Sequence, residues 1–256
     1  MKRAGTKVVN KRTIKKDCIE DFIRSIPVFL HLSDEALGEV RKHLYKKQYA
    51  KGEKVFEKGD PISTLYIVEA GKIEIYKADD EGRRLTLWYI SPGELFCVPT
   101  ILYGTAIANA EAVKDAVMYC LDKSAFDDLV GRFPEFSVGL LRCLSSRIQS
   151  YSNSVEAFAF TGTSGRVADI LLRYRTIDDK GNTVCQLSQN EITSLAGTCR
   201  ETVSRTLNKF KKENILKIER RKILIFDIKG LKKRALQESE QKRGEGDENP
   251  LPKWGG

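Results

Sequence analysis

The densest run of side chains equipped to read another molecule is Arg200-Glu201-Thr202-Val203-Ser204-Arg205. Arginine can hold guanine O6 and N7 bidentately, and glutamate can accept from cytosine N4, so this set suits the edges of G·C pairs. Val203, Leu207 and Phe210 recur at helical spacing and would be buried together, which leaves Arg200, Glu201, Ser204 and Arg205 on the opposite, N-terminal surface. That is the part of a recognition helix that enters a major groove. The alternative is a solvated helix face with an internal Glu201–Arg205 pair four residues apart.

The elements around this helix must present it. Ser188-Gln189-Asn190-Glu191 has capping-box spacing, with Ser188 at the N-cap and Glu191 reaching back. The helix it starts carries Ile192 and Leu195 inward and stops at Gly197, and a new helix begins within three residues at Arg200 and runs to Glu213. Two short helices joined by a tight glycine turn form a helix-turn-helix. Residues 215–218 and 223–226 read as two strands joined by Glu219-Arg220-Arg221-Lys222, a hairpin with a basic tip, which makes the domain a winged helix. A helix from Gly165 to Tyr174 and a short strand at 184–187 precede it. Ser188, Gln189, Cys199 and Thr202 lie near helix N-termini and are expected to hold phosphate oxygens, with Arg220, Arg221 and Lys222 adding charge from the wing. Between Arg166 and Arg234 there are 17 Lys or Arg against 8 Asp or Glu, an excess equal to the +9 of the whole chain. Such a footprint suits a polyanion, although a solvated basic surface would give the same count.

Upstream, Leu141, Leu144, Ile148, Tyr151, Val155 and Phe158 alternate at gaps of three and four in a helix that Pro134 starts. A stripe this narrow is an a/d seam, which buries best against a copy of itself and predicts a symmetric homodimer. The alternative, packing on the chain's own sheet, calls for a wider apolar face. Thr161-Gly162-Thr163-Ser164-Gly165 then reads as a hinge. Between Tyr49 and Leu121 five short alternating segments (54–57, 64–68, 72–76, 84–90 and 116–121) are separated by Gly52, Gly59, Gly71, Gly82 and Gly93, the rhythm of an antiparallel roll. A helix capped by Ser33 leads into it, and a short helix over 124–130 follows it.

The 256 residues allow two modest domains, and no apolar run approaches a membrane span. The basic N-terminus lacks the apolar core of a secretory signal, so a cytoplasmic location is expected. Six cysteines, no two closer than 14 residues, exclude a zinc-type pair and a small disulfide scaffold. No catalytic constellation is present: there are two histidines, no glycine-rich phosphate loop and no paired nucleophile and base, so an enzyme is not expected.

Residues 187–226, with Gly197 and Arg200-Glu201-Thr202-Val203-Ser204-Arg205, resemble the DNA-binding domain of the Crp/Fnr regulators. Gly59-Asp60, Leu65-Tyr66-Ile67-Val68, Gly71-Lys72-Ile73 and Pro92-Gly93-Glu94 resemble the turns of that family's cyclic-nucleotide-binding-type β-roll. Phe158-Ala159-Phe160 and Gly165-Arg166-Val167-Ala168 resemble its join between dimerisation helix and DNA-binding domain, so the likeness covers about residues 22 to 230. It implies an α+β chain with an N-terminal antiparallel, jelly-roll-like β-roll, a long dimerisation helix and a C-terminal winged helix-turn-helix. It also implies that Arg200, Glu201 and Arg205 read bases in an inverted repeat with TGTGA-like half-sites, and that RNA polymerase is a partner. Ser204 is more like the oxygen-sensing branch of the family.

The same resemblance bears on the effector. Where cyclic-AMP-binding members place a Gly-Glu and an Arg-Ser pair, this chain has Cys97-Val98 and Ala106-Ile107, and no arginine falls between Arg84 and Arg132. Tyr151-Ser152 stands where that branch has Thr-Ser against adenine. Cyclic AMP is therefore not expected, and the altered residues are the expected pocket for another effector. An iron–sulfur cluster is not expected either, because Cys18 is the only N-terminal cysteine. Haem stays open, with His31, His43, Cys97, Cys120 and Cys143 as candidate ligands, each of which could equally be a structural residue. Oxidation of Cys199 would set a bulky group against the DNA backbone, or that thiol merely replaces a capping serine. No metal site is expected. The expected organisation is a flexible basic tail (1–20), sensor roll (21–132), dimerisation helix (133–160), winged helix domain (161–235) and disordered tail (236–256). An effector-independent architectural DNA binder and a cyclic-nucleotide-regulated subunit are the competing readings.

Overall fold

A computed structural model describes residues 16–82, 84–220 and 222–241. The chain divides into two compact units between Arg147 and Ile148. In the first, α1 (Lys16–Ser25) and α2 (Asp34–His43) precede β1 (Tyr45–Tyr49), β2 (Lys54–Phe56), β3 (Thr64–Ala78), β4 (Arg84–Ile90) and β5 (Leu95–Phe96). Then come α3 (Val98–Tyr103), β6 (Asn109–Asp122), α4 (Lys123–Arg132) and the start of α5 (Pro134–Phe160). The strands form one antiparallel sheet in the order β1-β6-β3-β4, with β2 on β6 and β5 on β3.

Alternation along β3 feeds two cores. Leu65 and Ile67 pack with α1, α2, α4 and the first turns of α5, whereas Tyr66 and Val68 face the roll interior with Phe56, Phe96, Cys97, Ala106 and Cys120. Past Gly71 the phase changes, for Ile73 now faces the interior too. Register shifts on both sides of Gly71 account for this, since an extra residue in one strand turns later side chains to the other face. Gly71 is thus a bulge inside one long strand, not the turn expected between two. Its φ of +92° and the 2.3 Å that would separate a Cβ from the Asp115 carbonyl oxygen leave room for glycine alone.

The second unit holds the rest of α5, then α6 (Thr163–Arg173), β7 (Arg175–Ile177), β8 (Thr183–Cys185), α7 (Gln189–Ala196), α8 (Arg200–Lys212), β9 (Leu216–Ile218), β10 (Ile223–Ile225) and α9 (Ile228–Gln241). Its sheet runs β7-β8-β10-β9. Val167, Ile170, Leu171, Ile192, Val203, Leu207, Phe210 and Leu231 are buried there.

Several expected boundaries move. The hinge shrinks to Thr161-Gly162, because α6 starts at Thr163 and takes Gly165 into its first turn. The expected N-terminal tail gives way to α1 from Lys16, whose Ile19 and Ile23 are buried in the outer core. At the other end α9 continues to Gln241, past the expected start of the tail. Residues 1–15 and 242–256 of the two tails, and Arg221 of the wing, lie outside the described residues.

Candidate nucleic-acid interface

The recognition helix is set by local chemistry on both sides of its turn. Ser188 Oγ accepts from the Glu191 amide at 3.2 Å, and the Glu191 carboxylate accepts from the Ser188 amide at 2.7 Å, so the expected capping box closes. Gly197 ends α7 in the left-handed region, φ +57° and ψ +48°, with its amide donating to Thr193 O. Cys199 is the extended N-cap of α8 and its thiol makes no capping bond. Instead Cys199 Sγ lies 3.1 Å from Thr202 Oγ1, which also accepts from Arg205 Nη2 at 3.3 Å.

Arg200, Glu201 and Arg205 are exposed, while Thr202 and Ser204 are half-buried. Among the described residues neither arginine forms an ion pair, so the Glu201–Arg205 pair of the alternative reading is not made. A hydrogen bond from its own backbone amide, with the Cys199 side chain and Arg200 nearby, holds the Glu201 carboxyl below the usual carboxylate range, leaving an ionised acceptor. Asn208, Lys209 and Lys212 share the shallow depression around Glu201, Ser204 and Arg205 and were not singled out from the sequence. Their spacing of four from Ser204, Arg205 and Asn208 was the signal available.

The wing forms as expected, its turn closed by the Glu219 amide donating to Lys222 O at 2.9 Å. Arg220 at its tip is exposed. Lys222 turns to Asp178 in the β7–β8 loop, Nζ to Oδ2 at 2.8 Å. That bond, helped by the Asn182 amide, lowers the Asp178 carboxyl well below its ordinary range.

Along α5, Leu141, Ile148, Tyr151, Val155 and Phe158 are exposed apolar side chains, whereas Leu144 packs partly on the outer core. Phe158 also lies against the Arg166 guanidinium and Gly197. In the first unit Cys97 and Ala106 sit in the inner core, Val98 faces the outer one and Ile107 is exposed, so these four do not line a single surface. Cys97 takes φ +76°, a conformation suited to glycine, and burial pushes its thiol well up. A cation does reach this stretch, from a place the sequence reading did not consider: Arg147 of α5 donates to Leu95 O at 3.3 Å and lies over Trp88. Tyr151 and Ser152 belong to the second unit.

Comparison with known proteins agrees with this arrangement. Residues 46–133 match the cyclic nucleotide-binding domain family and residues 165–234 the Crp-like helix-turn-helix domain family. A cyclic nucleotide-binding-type roll followed by such a DNA-binding domain defines a DNA-binding transcription regulator, not an enzyme. The chain belongs to the Crp/Fnr family. It is similar to the CRP-like cAMP-activated global transcriptional regulator of Mycobacterium tuberculosis, 29% identical over 223 residues that cover 85% of this chain and 100% of that protein. The Cyclic AMP receptor protein of Thermus thermophilus is 28% identical over 197 residues, covering 77% of this chain and 90% of that one. Among solved structures, a CooA mutant from Carboxydothermus hydrogenoformans superposes with a TM-score of 0.67 at 25% identity, covering 81% of this chain and 94% of that one. FixK2 from Bradyrhizobium japonicum shares the fold, with a TM-score of 0.66 at 22% identity over 75% of this chain and 96% of that one. No helix among the described residues is long and apolar enough to cross a membrane.

Proposed function

We propose that the protein acts in the cytoplasm as a homodimer whose two α8 helices read an inverted repeat with TGTGA-like half-sites, and that it regulates transcription together with RNA polymerase. The observation that carries the reading is the face of Arg200, Glu201 and Arg205, exposed at the N-terminal end of a helix whose other side is buried. Arg205 and Glu201 supply the donors and the acceptor for a G·C-rich step, with Ser204 between them. Ser188, Gln189, Cys199, Thr202 and Arg220 border this face as phosphate contacts. Lys222 contributes less, because Asp178 already neutralises it. The bare apolar stripe on α5 supports the dimer, and two copies would address half-sites one DNA turn apart.

The effector is proposed to be something other than cyclic AMP. Two relatives carry cyclic AMP in their names, yet here the stretch that would hold a cyclic phosphate offers Cys97 and Ala106 in an apolar core. Arg147 is the nearby cation, and it is bound to Leu95 O and stacked on Trp88. Haem fits the available donors poorly. Cys97 and Cys120 are enclosed in the inner core, Cys143 packs on the outer one, and His31 and His43 are exposed, so the candidate ligands are spread over different parts of the unit. A small organic ligand is therefore favoured, with oxidation of the exposed Cys199 as a second input.

Binding of Arg205→Ala to a panel of half-site variants tests the base-reading role. Loss of discrimination at a single guanine, worth about 1–3 kcal/mol, is expected. Equal weakening on every sequence would reduce Arg205 to a phosphate contact.

A further inference from the structure

One side chain crosses the break between α5 and α6. Arg166, half-buried in the first turns of α6, donates from Nε to Ala196 O at 3.0 Å, from Nη1 to Thr161 O at 3.4 Å and from Nη2 to Thr163 Oγ1 at 3.2 Å. Its guanidinium carbon also lies 5.1 Å from the centre of the Phe158 ring, in the last turns of α5. These four partners come from the end of α5, the joint, the start of α6 and the end of α7.

The contact with Ala196 answers a need of the backbone. The last carbonyls of a helix have no intrahelical donor. The amides of Gly197 and Thr198 both go to Thr193 O, and Arg166 supplies the donor for Ala196 O. The Phe158 ring approaches the same turn, 3.4 Å from where a Cβ on Gly197 would stand. Gly197 is three residues from Arg200. The joint is held close as well, since a Cβ on Gly165 would come within 2.7 Å of Thr161 Cβ.

We propose that Arg166, stacked on Phe158, is a positioning residue that ties the last turns of α5 to the α7–α8 turn and thereby sets where the Arg200–Arg205 face stands. The inference rests on DNA binding by α8 and requires no particular operator sequence. A planar fork is needed because three acceptors on different elements must be met at once while one face stacks on a ring, which an ammonium group cannot do. The donors engaged here are directed at protein acceptors, so the role differs from that of a phosphate-binding arginine.

Two measurements on the full-length protein test it: hydrogen exchange without DNA, and affinity for a selected operator against random duplex. In Arg166→Gln, the amides of Gly197 and Thr198, which donate to Thr193 O, should exchange at least about tenfold faster, with the core of the second unit unchanged. Operator affinity should fall about tenfold or more while random-duplex affinity stays within about threefold, because the latter depends on charge more than on helix placement. Arg166→Lys, which keeps the charge and can still reach one carbonyl, should fall between the two proteins. Should Arg166→Gln unfold, Thr163→Val removes one acceptor of the guanidinium without touching the apolar stripe of α5, and it must show the same split. Unchanged exchange at Gly197 and Thr198, or a parallel fall on both DNAs, would overturn the proposal. The exchange measurement uses no DNA, so it stands if the proposed half-site proves wrong.

Discussion

Replacing Ile148 by alanine is the sharpest test of the dimer. Its side chain is 68% exposed on α5, in line with the similarly bare Leu141 and Val155. Complete burial of an isoleucine side chain is worth about 1.5–3 kcal/mol, so covering two-thirds of it contributes about 1–2 kcal/mol per copy. In a symmetric seam both copies lose it together. Alanine retains one methyl group, which leaves a loss of about 2–3 kcal/mol per dimer, or about 30- to 150-fold in the dissociation constant. Sedimentation equilibrium over a range of protein concentrations would read this directly. Gln149→Ala is the control, because Gln149 is exposed and bonds along its own helix to Asn153. It should shift association less than about threefold, as surface substitutions usually do. If Ile148→Ala associates as tightly as the parent while Gln149→Ala weakens it, the seam lies on another face of α5 and the account of the dimer fails.

Two further substitutions test the first unit. Gly71→Ala must place a Cβ against the Asp115–Ala116 backbone at positive φ and should cost more than about 3 kcal/mol in urea unfolding, whereas Gly59→Ala, also at positive φ but with open space around it, should cost about 1–2 kcal/mol. Similar costs at the two sites would contradict the bulge. Glu94 is raised above its ordinary range by burial, which the Ser91 amide and Arg147 only partly offset. Since its folded value lies above its unfolded one, the contribution of Glu94 to stability is fullest at acid pH and declines as pH rises through the folded value. Glu94→Gln does not ionise, so its melting temperature relative to the parent should rise between pH 4 and pH 7 (about one carboxylate titration range). A relative fall would refute the burial argument.

What the sequence made legible was local. The capping box at Ser188 and Glu191, the left-handed Gly197 and the buried stripe of α8 each need only a few consecutive residues, and each formed where expected. The misreadings depend on partners distant in the chain. Gly71 resembled a turn because its reason, the approach of Asp115 on β6, lies 44 residues away. Lys222 reads as a free cation in the sequence, whereas in the fold Asp178 meets it, and the cation beside the roll, Arg147, comes from α5 and not from the strands themselves. The α5–α6 joint is shorter than two glycines within five residues suggest, because Gly165 lies inside α6 and lets it pass close to Thr161. Glycine signalled turns and close packing alike, and only the fold separates the two.

Selection of duplexes from a random library by the purified full-length protein tests the central claim most directly. The account predicts an enriched inverted repeat of TGTGA-like halves whose centres lie about 10–10.5 base pairs apart, and loss of one guanine per half when Arg205→Ala is selected in parallel. Enrichment of a single unrepeated site, of a direct repeat, or of the same motif with and without Arg205 would contradict it.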